Sequence, residues 1–183
     1  EDGILKGLYR CKPGPEQKKL KAHIFGSGPI INQALRAQEI LAEKYGVSAD
    51  VWSATSYKLL RTDALRCRRW NMLHPAEPLK KSHVETVLEK EKGVFVAVSD
   101  NIKLVPDQIA PWVPGGLTTL GTDGFGRSDT RPRLRRFFEV DAECTVIATL
   151  YALARQGQVG LPVVQKAIRE LAVDPEKIHP QIA

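Results

Sequence analysis

The segment from Leu20 to Thr55 has the outline of a strand, a Gly-Ser-Gly turn, an amphipathic helix and a second strand. Pro29 suits the first helical position after a cap at Ser27 or Gly28, and Gly46 ends the helix in the left-handed conformation. Two strands joined in this way run parallel through a right-handed crossover, which predicts an α/β fold. The apolar residues that recur with a period of about 3.6 and define the helix face are Ile30, Ile31, Ala34, Leu35, Ala37, Ile40 and Leu41.

The rest of the chain continues this alternation of helices and strands. The run GVFVAVSD, from Gly93 to Asp100, is continuously apolar and rich in β-branched residues, so it predicts a strand buried on both faces. The stretch from Ser56 to Lys81 contains Pro75 and Pro78, which favour a helical turn followed by an ordered loop. The other predicted elements are an edge strand within Gly3–Lys12, a strand at Leu117–Gly121, and helices at Ser82–Lys90, within Asn101–Val113, near Arg133–Phe138, at Ala142–Gln156 and at Pro162–Ala172.

Composition indicates an ordinary globular domain. Of the 183 residues, 43% are apolar and 26% charged, which excludes a disordered chain, and no apolar run approaches the roughly 18 residues of a membrane span. The length suits a single domain covering residues 1–183. Because the chain opens with Glu1 and has one methionine, Met72, we expect a fragment of a larger polypeptide. Three cysteines without a CxxC pair favour a reducing cytoplasm over disulfides or a zinc site.

Candidate chemistry lies where the predicted parallel strands end, because the ligands of open α/β sheets gather there. Those ends carry the Gly-Ser-Gly turn at residues 26–28, Asp100, and the loop from Gly121 to Asp129. The turn offers backbone amides to a phosphate, but it lacks the third glycine and the acidic residue of a dinucleotide fingerprint. Close packing of strand against helix therefore explains it better. One alternative stays open, a regulatory domain that holds a small anion between Ser27, Gly28 and the loop from Thr122 to Ser128.

The stretch LGTDGFGRSDTRPRLRRFF, from Leu120 to Phe138, combines three glycines with five arginines. We interpret it as a strand-to-helix joint, in which Asp129 or Thr130 caps a helix whose first turn holds Pro132. The glycines that permit positive φ and the close passage of another segment are Gly121, Gly124 and Gly126. The short polar side chains that can bind the loop's own amides are Asp123, Ser128 and Asp129.

Basic residues allow a second alternative, a stand-alone nucleic-acid-binding module. The net charge is +6, and Trp70 and Phe137 stand beside arginine pairs as possible stacking surfaces. We favour the interpretation that these aromatics are core or interface anchors and that the arginines bind carboxylates or carbonyls. The arginines of this alternative are Arg68, Arg69, Arg131, Arg133, Arg135 and Arg136. His74, which precedes a proline, is the histidine with the best case for a functional role.

Three strings in the chain carry a resemblance to a known family. They are RWNMLHP from Arg69, GTDGFGRSDTR from Gly121, and FEVDA from Phe138. With them the chain resembles the carboxyl-terminal domain of the homodimeric, thiamine-diphosphate-dependent pyruvate dehydrogenases, and more distantly transketolases. The resemblance implies the third of three α/β domains, a three-layer fold with a mostly parallel sheet of about five strands and helices on both faces.

The resemblance also implies a function for the larger polypeptide. Such an enzyme oxidatively decarboxylates pyruvate from glycolysis with thiamine diphosphate and Mg²⁺, and reductively acetylates a lipoyl group on the acetyltransferase of a multienzyme complex. Its partners would be its own N-terminal and middle domains, a second copy, and the lipoyl domain of dihydrolipoyl acetyltransferase, with no nucleic acid and no membrane.

The same family places its catalytic, cofactor and metal residues outside these 183 positions, so we expect none of them here and no thiamine diphosphate bound by the fragment. The family's Gly-Asp-Gly motif with paired asparagines does not occur, and Asn101 stands where the family pattern has an aromatic residue. We expect this domain to supply dimer and interdomain packing. The candidate residues for that loop and its surroundings are Arg69, His74, Asp100, Gly121, Asp123, Gly124, Phe125, Gly126, Ser128, Asp129 and Arg131.

Overall fold

A five-stranded sheet forms the centre of the fold, with the strands in the order β1-β3-β2-β4-β5. The structure, a computed structural model, describes residues 2–16 and 18–183. The strand pairs β3-β2, β2-β4 and β4-β5 are parallel, whereas the edge pair β1-β3 is antiparallel. The strands are β1 Leu8–Lys12, β2 Leu20–Gly26, β3 Val47–Ala54, β4 Val94–Val98 and β5 Thr118–Leu120.

Helices cover both faces of this sheet. The helices are α1 Asp2–Lys6, α2 Ile31–Tyr45, α3 Tyr57–Leu73, α4 His83–Leu88, α5 Leu104–Asp107, α6 Arg131–Phe137, α7 Ala142–Arg155 and α8 Leu161–Glu170, with short 3-10 turns at Gly28–Ile30, Ala110–Trp112 and Pro180–Ile182. Among the described residues, no helix has the length and apolar character needed to cross a membrane.

Two apolar cores result from the alternation of side chains along the strands. Ile24 of β2 belongs to the core under α2, α7 and α8, whereas its neighbour Phe25 belongs to the core under α3 and α4. All five residues of β4 are buried, as its unbroken apolar run predicts. The expected three-layer α/β architecture with a mostly parallel sheet is therefore confirmed.

The turn after β2 fits the expected tight packing of strand against helix. A β-carbon at Gly26 would lie 2.8 Å from the Cα of Ile31, so a larger residue would push α2 away from the sheet. The helix ends as predicted, because Gly46 adopts φ +66° and its amide donates to Leu41 O. Ser27 is extended and precedes the 3-10 turn, but among the described residues its side chain makes no capping hydrogen bond.

Two predicted elements differ from the structure. Asp2–Lys6 is helical rather than part of the edge strand; Lys6 pairs with Asp2 at 3.0 Å one turn away, and Gly7 then turns the chain at φ +103°. The stretch from Tyr57 to Leu73, predicted as a helical turn and loop, is a continuous helix of 17 residues. Both prolines lie beyond its end, so they break the helix only after Leu73.

Helix α3 begins at a serine N-cap, Ser56. The Ser56 hydroxyl oxygen accepts a hydrogen bond from the Leu59 amide at 3.2 Å, which satisfies one of the free donors of a helix start. Tyr57, Leu60 and Ala64 are the buried residues of α3, and their spacing puts them on one face. Only the first two turns of α3 therefore pack on the sheet.

Candidate functional site

A cleft of about 380 Å³ opens at the carboxyl ends of the parallel strands. The chain leaves β2 towards β3 on one side and returns to β4 on the other side, so the ends of β2 and β4 form the switch point where α/β sheets bind ligands. The cleft is lined by Pro29, Ile30, Asp100, Thr122, Gly124, Gly126, Arg127, Arg131, Leu134, Arg135, Phe138 and Val140. Four of the candidate loop residues predicted from sequence thus meet here: Asp100, Gly124, Gly126 and Arg131.

Two buried serines follow the ends of β2 and β4 directly, next to the residues that line the cleft. The Ser27 hydroxyl donates to Ser99 Oγ at 2.9 Å, and Ser99 Oγ also accepts from the Asn101 amide at 3.1 Å. The carboxylate of Asp100 stands next to the turn, with Oδ2 3.7 Å from where a Gly28 β-carbon would be. The Ser27 hydroxyl is thus already bonded and a negative charge adjoins the turn, which weighs against an anion held by Ser27 and Gly28.

Gly121 and Asp123 bind the glycine loop to the segment that follows β4. A β-carbon at Gly121 would lie 2.6 Å from Asn101 O, so glycine is needed for this close approach. Asp123 Oδ1 accepts from the Lys103 amide at 2.9 Å, and Lys103 Nζ lies 3.8 Å from the other carboxylate oxygen. Thr122 Oγ1 donates to Asp100 O at 2.7 Å. The expectation that Asp123 binds its own loop is therefore corrected, because it holds a neighbouring segment instead.

Gly124 is the one candidate glycine with positive φ, at +112°, in the described chain. A side chain there would overlap the carbonyl group of Pro180, so the segment that passes close belongs to the carboxyl end of this chain. Gly126 has open space around its Cα, which corrects the expectation that all three glycines serve one purpose. Phe125 between them is 82% exposed, and its ring faces solvent at the rim of the loop.

The start of α6 lies at the predicted position, with Thr130 at the N-cap and Pro132 in the first turn, but its hydrogen bonds differ from a side-chain cap. Thr130 is the N-cap residue, but among the described residues its side chain makes no cap hydrogen bond; Asp129 Oδ1 instead accepts from the Thr130 amide at 2.6 Å. The expected tie through Ser128, which is exposed, is not among the hydrogen bonds of the described residues. Arg131 occupies the first position of α6 and lines the cleft.

Positive charge dominates the cleft. Three of its lining residues are arginines and one, Asp100, is acidic. The guanidinium of Arg127 lies 4.2 Å from the ring centroid of Phe137, an arrangement that favours the cation. Arg127 and Arg135 were not predicted as residues of this loop site, because the basic run alone does not indicate which of its arginines face the cleft.

Arg69 and His74 do not line this cleft. Both are exposed residues at the carboxyl end of α3. The His74 ring stacks on Trp70 with centroids 4.5 Å apart, its Nδ1 lies 2.8 Å from Trp70 O, and Lys80 Nζ lies 3.8 Å from the Trp70 ring centroid. The prediction that Arg69 and His74 belong with the glycine loop is therefore corrected, because both lie at the carboxyl end of α3, away from the residues that line the cleft.

The six arginines of the nucleic-acid alternative do not share one surface. Helix α3, with Arg68 and Arg69, packs on one core, whereas Phe138 at the end of α6 packs on the other core. Arg136 Nε is paired with Asp141 at 2.6 Å. Trp70 already contacts His74 and Lys80 of its own chain.

A further polar cluster, unforeseen from sequence, is formed by side chains from the middle of β2 and β3 and from the segment before β4. His23, Asp50 and Glu91 have side-chain ligand atoms within 4.8 Å of one another. Each ring nitrogen of His23 has a partner, since Nδ1 accepts from Trp52 Nε1 at 3.2 Å and Nε2 donates to Lys92 O at 3.1 Å. Burial lowers the pKa of His23, and Arg10 pairs with both carboxylates. The cluster is therefore an ion-pair network around a neutral imidazole.

The fold and the cleft define the class of protein. The family model described as "Transketolase-like TK C-terminal domain" matches residues 7–141, and the chain therefore belongs to the transketolase-like C-terminal domain family. A solved transketolase from Leishmania mexicana superposes with a TM-score of 0.57 at 19% identity over 84% of this chain and 19% of that chain. The transketolase from Campylobacter jejuni gives a TM-score of 0.54 at 17% identity, covering 80% of this chain and 18% of that chain.

Sequence relatives point to one kind of enzyme within that class. The chain is 45% identical to the pyruvate dehydrogenase E1 component of Pseudomonas aeruginosa over 98% of its length, and 44% identical to that of Mycolicibacterium smegmatis over 94%. It is 42% identical to the same component of Escherichia coli K12 over its whole length. These matches cover 19–20% of each relative, so the chain spans about a fifth of their length. The resemblance drawn from the three sequence strings is confirmed.

Proposed function

We propose that this chain is the C-terminal domain of a thiamine-diphosphate-dependent pyruvate dehydrogenase, its decarboxylating first component. The observation that carries the proposal is the identity of 42–45% with pyruvate dehydrogenase E1 components across 94–100% of the chain. Because the chain spans a fifth of those relatives, the activity belongs to a longer polypeptide. Residues 1–183 are then one domain of it, the third of three.

The longer polypeptide would oxidatively decarboxylate pyruvate and pass the acetyl unit to a lipoyl group on the acetyltransferase of its complex. It would do so as a cytoplasmic homodimer, with thiamine diphosphate and Mg²⁺ held by its other domains. When bound, the cofactor supplies the carbanion chemistry, and the protein supplies binding and orientation.

The residues present here do not fit the cofactor. A diphosphate at the Gly-Ser-Gly turn would face the carboxylate of Asp100, and the Ser27 hydroxyl is engaged by Ser99. The carboxylates nearest to a metal-site geometry, Asp50 and Glu91, are paired with Arg10. We therefore propose that the contribution of this chain is structural.

The structural contribution has two parts. Inside the domain, Asp123 and Gly124 tie the glycine loop to the segment after β4 and to the carboxyl terminus. Outside it, the loop presents Phe125, which is 82% exposed, beside the arginines of the cleft. An exposed aromatic ring next to arginines is the composition of a protein interface core, which supports a role of this loop in interdomain or dimer packing.

The test is an activity assay on the longer polypeptide. Purified with thiamine diphosphate and Mg²⁺, it should consume pyruvate and release CO₂ with ferricyanide as electron acceptor, and it should acetylate a lipoyl domain. A longer polypeptide that is folded and loaded with cofactor but leaves pyruvate unchanged, while it turns over a ketose phosphate, would contradict the proposal in favour of a transketolase activity.

A further inference from the structure

Residues 65–81 form a projection that contributes no buried residue to either core of the domain, and we call it the α3 arm. It consists of the second half of α3 and the loop that returns to α4. No residue of this fully described stretch is buried, whereas Ala64 before it and Ser82 after it are 0% exposed. The two ends of the arm are joined at its base, where Asp63 Oδ2 accepts from the His83 amide at 2.7 Å.

The arm holds its own shape without a core. Asn71 exchanges two hydrogen bonds with the backbone of Lys80, each 2.9 Å long. The Trp70 ring is stacked on His74 and lies under the Lys80 ammonium. These contacts fix the returning loop against the helix, so the surface of the arm is already formed before any partner binds, and binding to it requires little further ordering.

The surface of the arm combines apolar and basic side chains. Four large apolar residues of the arm are exposed, namely Leu65 at 41%, Met72 at 70%, Leu73 at 51% and Leu79 at 76%. The arm also carries five Lys and Arg residues against one acidic residue, which is four of the six net positive charges of the whole chain. Exposed apolar side chains gathered with one sign of charge indicate a protein-binding surface whose partner is apolar in the centre and acidic around it.

The same surface continues at the base of the arm. A groove of about 440 Å³ lies between α1, α3 and α4, with Leu5 and Leu59 on its apolar side and Arg66 and Lys81 on its basic side. Leu5 is 74% exposed and Leu59 49%. A partner side chain inserted here would therefore meet the same combination of apolar contact and positive charge as along the arm.

We propose that the α3 arm and this groove dock on an acidic and apolar surface of the remaining part of the same longer polypeptide. The inference rests on the proposed function, which leaves about four-fifths of the relatives' length outside this chain. We expect a polypeptide of that size to cover part of this domain. The arm, like the glycine loop, combines exposed apolar and basic side chains that suit such an interface. Nucleic acid fits less well, because the Trp70 ring is already engaged.

Met72, the single methionine of this chain, is a built-in probe of the docking. The longer polypeptide is treated with hydrogen peroxide, and oxidation of Met72 is followed by peptide mass spectrometry against a synthetic peptide of residues 66–76. A Leu161→Met variant supplies a control on α8, where Leu161 is 60% exposed. We expect Met72 to oxidise at least about tenfold more slowly than the peptide, and the methionine introduced on α8 to react within about threefold of its own peptide.

A charge-reversal variant, Arg68→Glu with Arg69→Glu, completes the test, because both changes lie on the exposed surface of the arm. It should bring Met72 oxidation towards the rate of the peptide, while Lys166→Glu on α8 should leave it unchanged. Oxidation of Met72 at the peptide rate in the unaltered polypeptide overturns the docking proposal. Protection that is lost on dilution to nanomolar concentration, or that arises only when DNA is added, overturns the proposed occupant in favour of a second copy or nucleic acid.

The two proposals fail in different ways. Pyruvate turnover by the longer polypeptide tests the proposed function, whereas Met72 oxidation tests only the docking of the arm. Full turnover with an unprotected Met72 would leave the function standing and remove the arm from the interface. Absent turnover with a protected Met72 would leave the docking surface standing and remove the assigned reaction.

Discussion

Replacing Gly124 by alanine should destabilise the domain, whereas the same change at Gly126, two residues later, should not. Gly124 has φ +112°, where an L-residue is strained, and its β-carbon would overlap the Pro180 carbonyl and lie 2.9 Å from the carbonyl carbon. Pro180 is buried, so the segment cannot move aside without losing its own packing. Gly126 has neither restriction, which makes it a matched control.

The expected magnitude follows from the two restrictions. Backbone strain at positive φ costs about 1–2 kcal/mol, and forcing a methyl group into a packed contact costs about 1–3 kcal/mol. The Gly124→Ala variant should therefore lose about 2–5 kcal/mol in the free energy of unfolding, or about 4–20 °C in Tm for a domain of this size. The Gly126→Ala variant should stay within about 0.5 kcal/mol of the parent.

Urea unfolding and hydrogen exchange measure this difference. Exchange should accelerate at the carboxyl terminus of the Gly124→Ala variant, where the Ile182 amide donates to His179 O, because detaching that segment relieves the clash. If Gly124→Ala unfolds at the same urea concentration as Gly126→Ala, with an equally protected terminus, then the contact between the glycine loop and Pro180 does not support the fold, and the reasoning is wrong.

Two further changes test the polar groups of the fold. Burial lowers the pKa of His23 in the folded state, so the unfolded chain binds a proton there more readily. The free energy of unfolding should therefore be highest above pH about 6.5 and fall as the pH drops below it. The His23→Gln variant should lose this contribution to the pH dependence of the free energy of unfolding, as measured by urea titration at several pH values. Asp141 accepts from the Cys144 amide at 2.9 Å and pairs with Arg136, so Asp141→Ala should lower the free energy of unfolding by about 2–3 kcal/mol. Asp141→Asn keeps the N-cap acceptor and should lower it clearly less in the same assay. Equal losses in the two variants would refute the role of the cap.

Much of the fold could be predicted because local pattern and tertiary packing agree. Every side chain of β4 is buried, so its unbroken apolar run is sufficient to predict the strand. At Gly46 the left-handed cap of α2 follows from the residue type itself. The length of α3 differs from the prediction because Pro75 and Pro78 restrict only the residues next to them, and the helix ends before both, at Leu73. The signal that was present, Ser56 followed by apolar residues at positions 57, 60 and 64, is that of an N-capped helix with one buried face.

The candidate site was predicted in outline and not in detail. Parallel strands bring Asp100 and the glycine loop to one edge, and this could be read from their positions at strand ends. The residues that this loop contacts could not be predicted from the sequence. Asp123 binds the Lys103 amide and Gly124 packs against Pro180, and both contacts join segments that are distant in sequence. Such contacts between distant segments leave no periodic pattern in the sequence.

Calorimetric titration with thiamine diphosphate and Mg²⁺ tests most directly the claim that this domain contributes structure and not the cofactor site. The titration is run on the 183-residue chain and on the longer polypeptide under the same conditions. We predict saturable binding with about micromolar affinity, about −8 kcal/mol, for the longer polypeptide and no heat of binding for the chain alone. Micromolar binding by the chain alone would contradict the account.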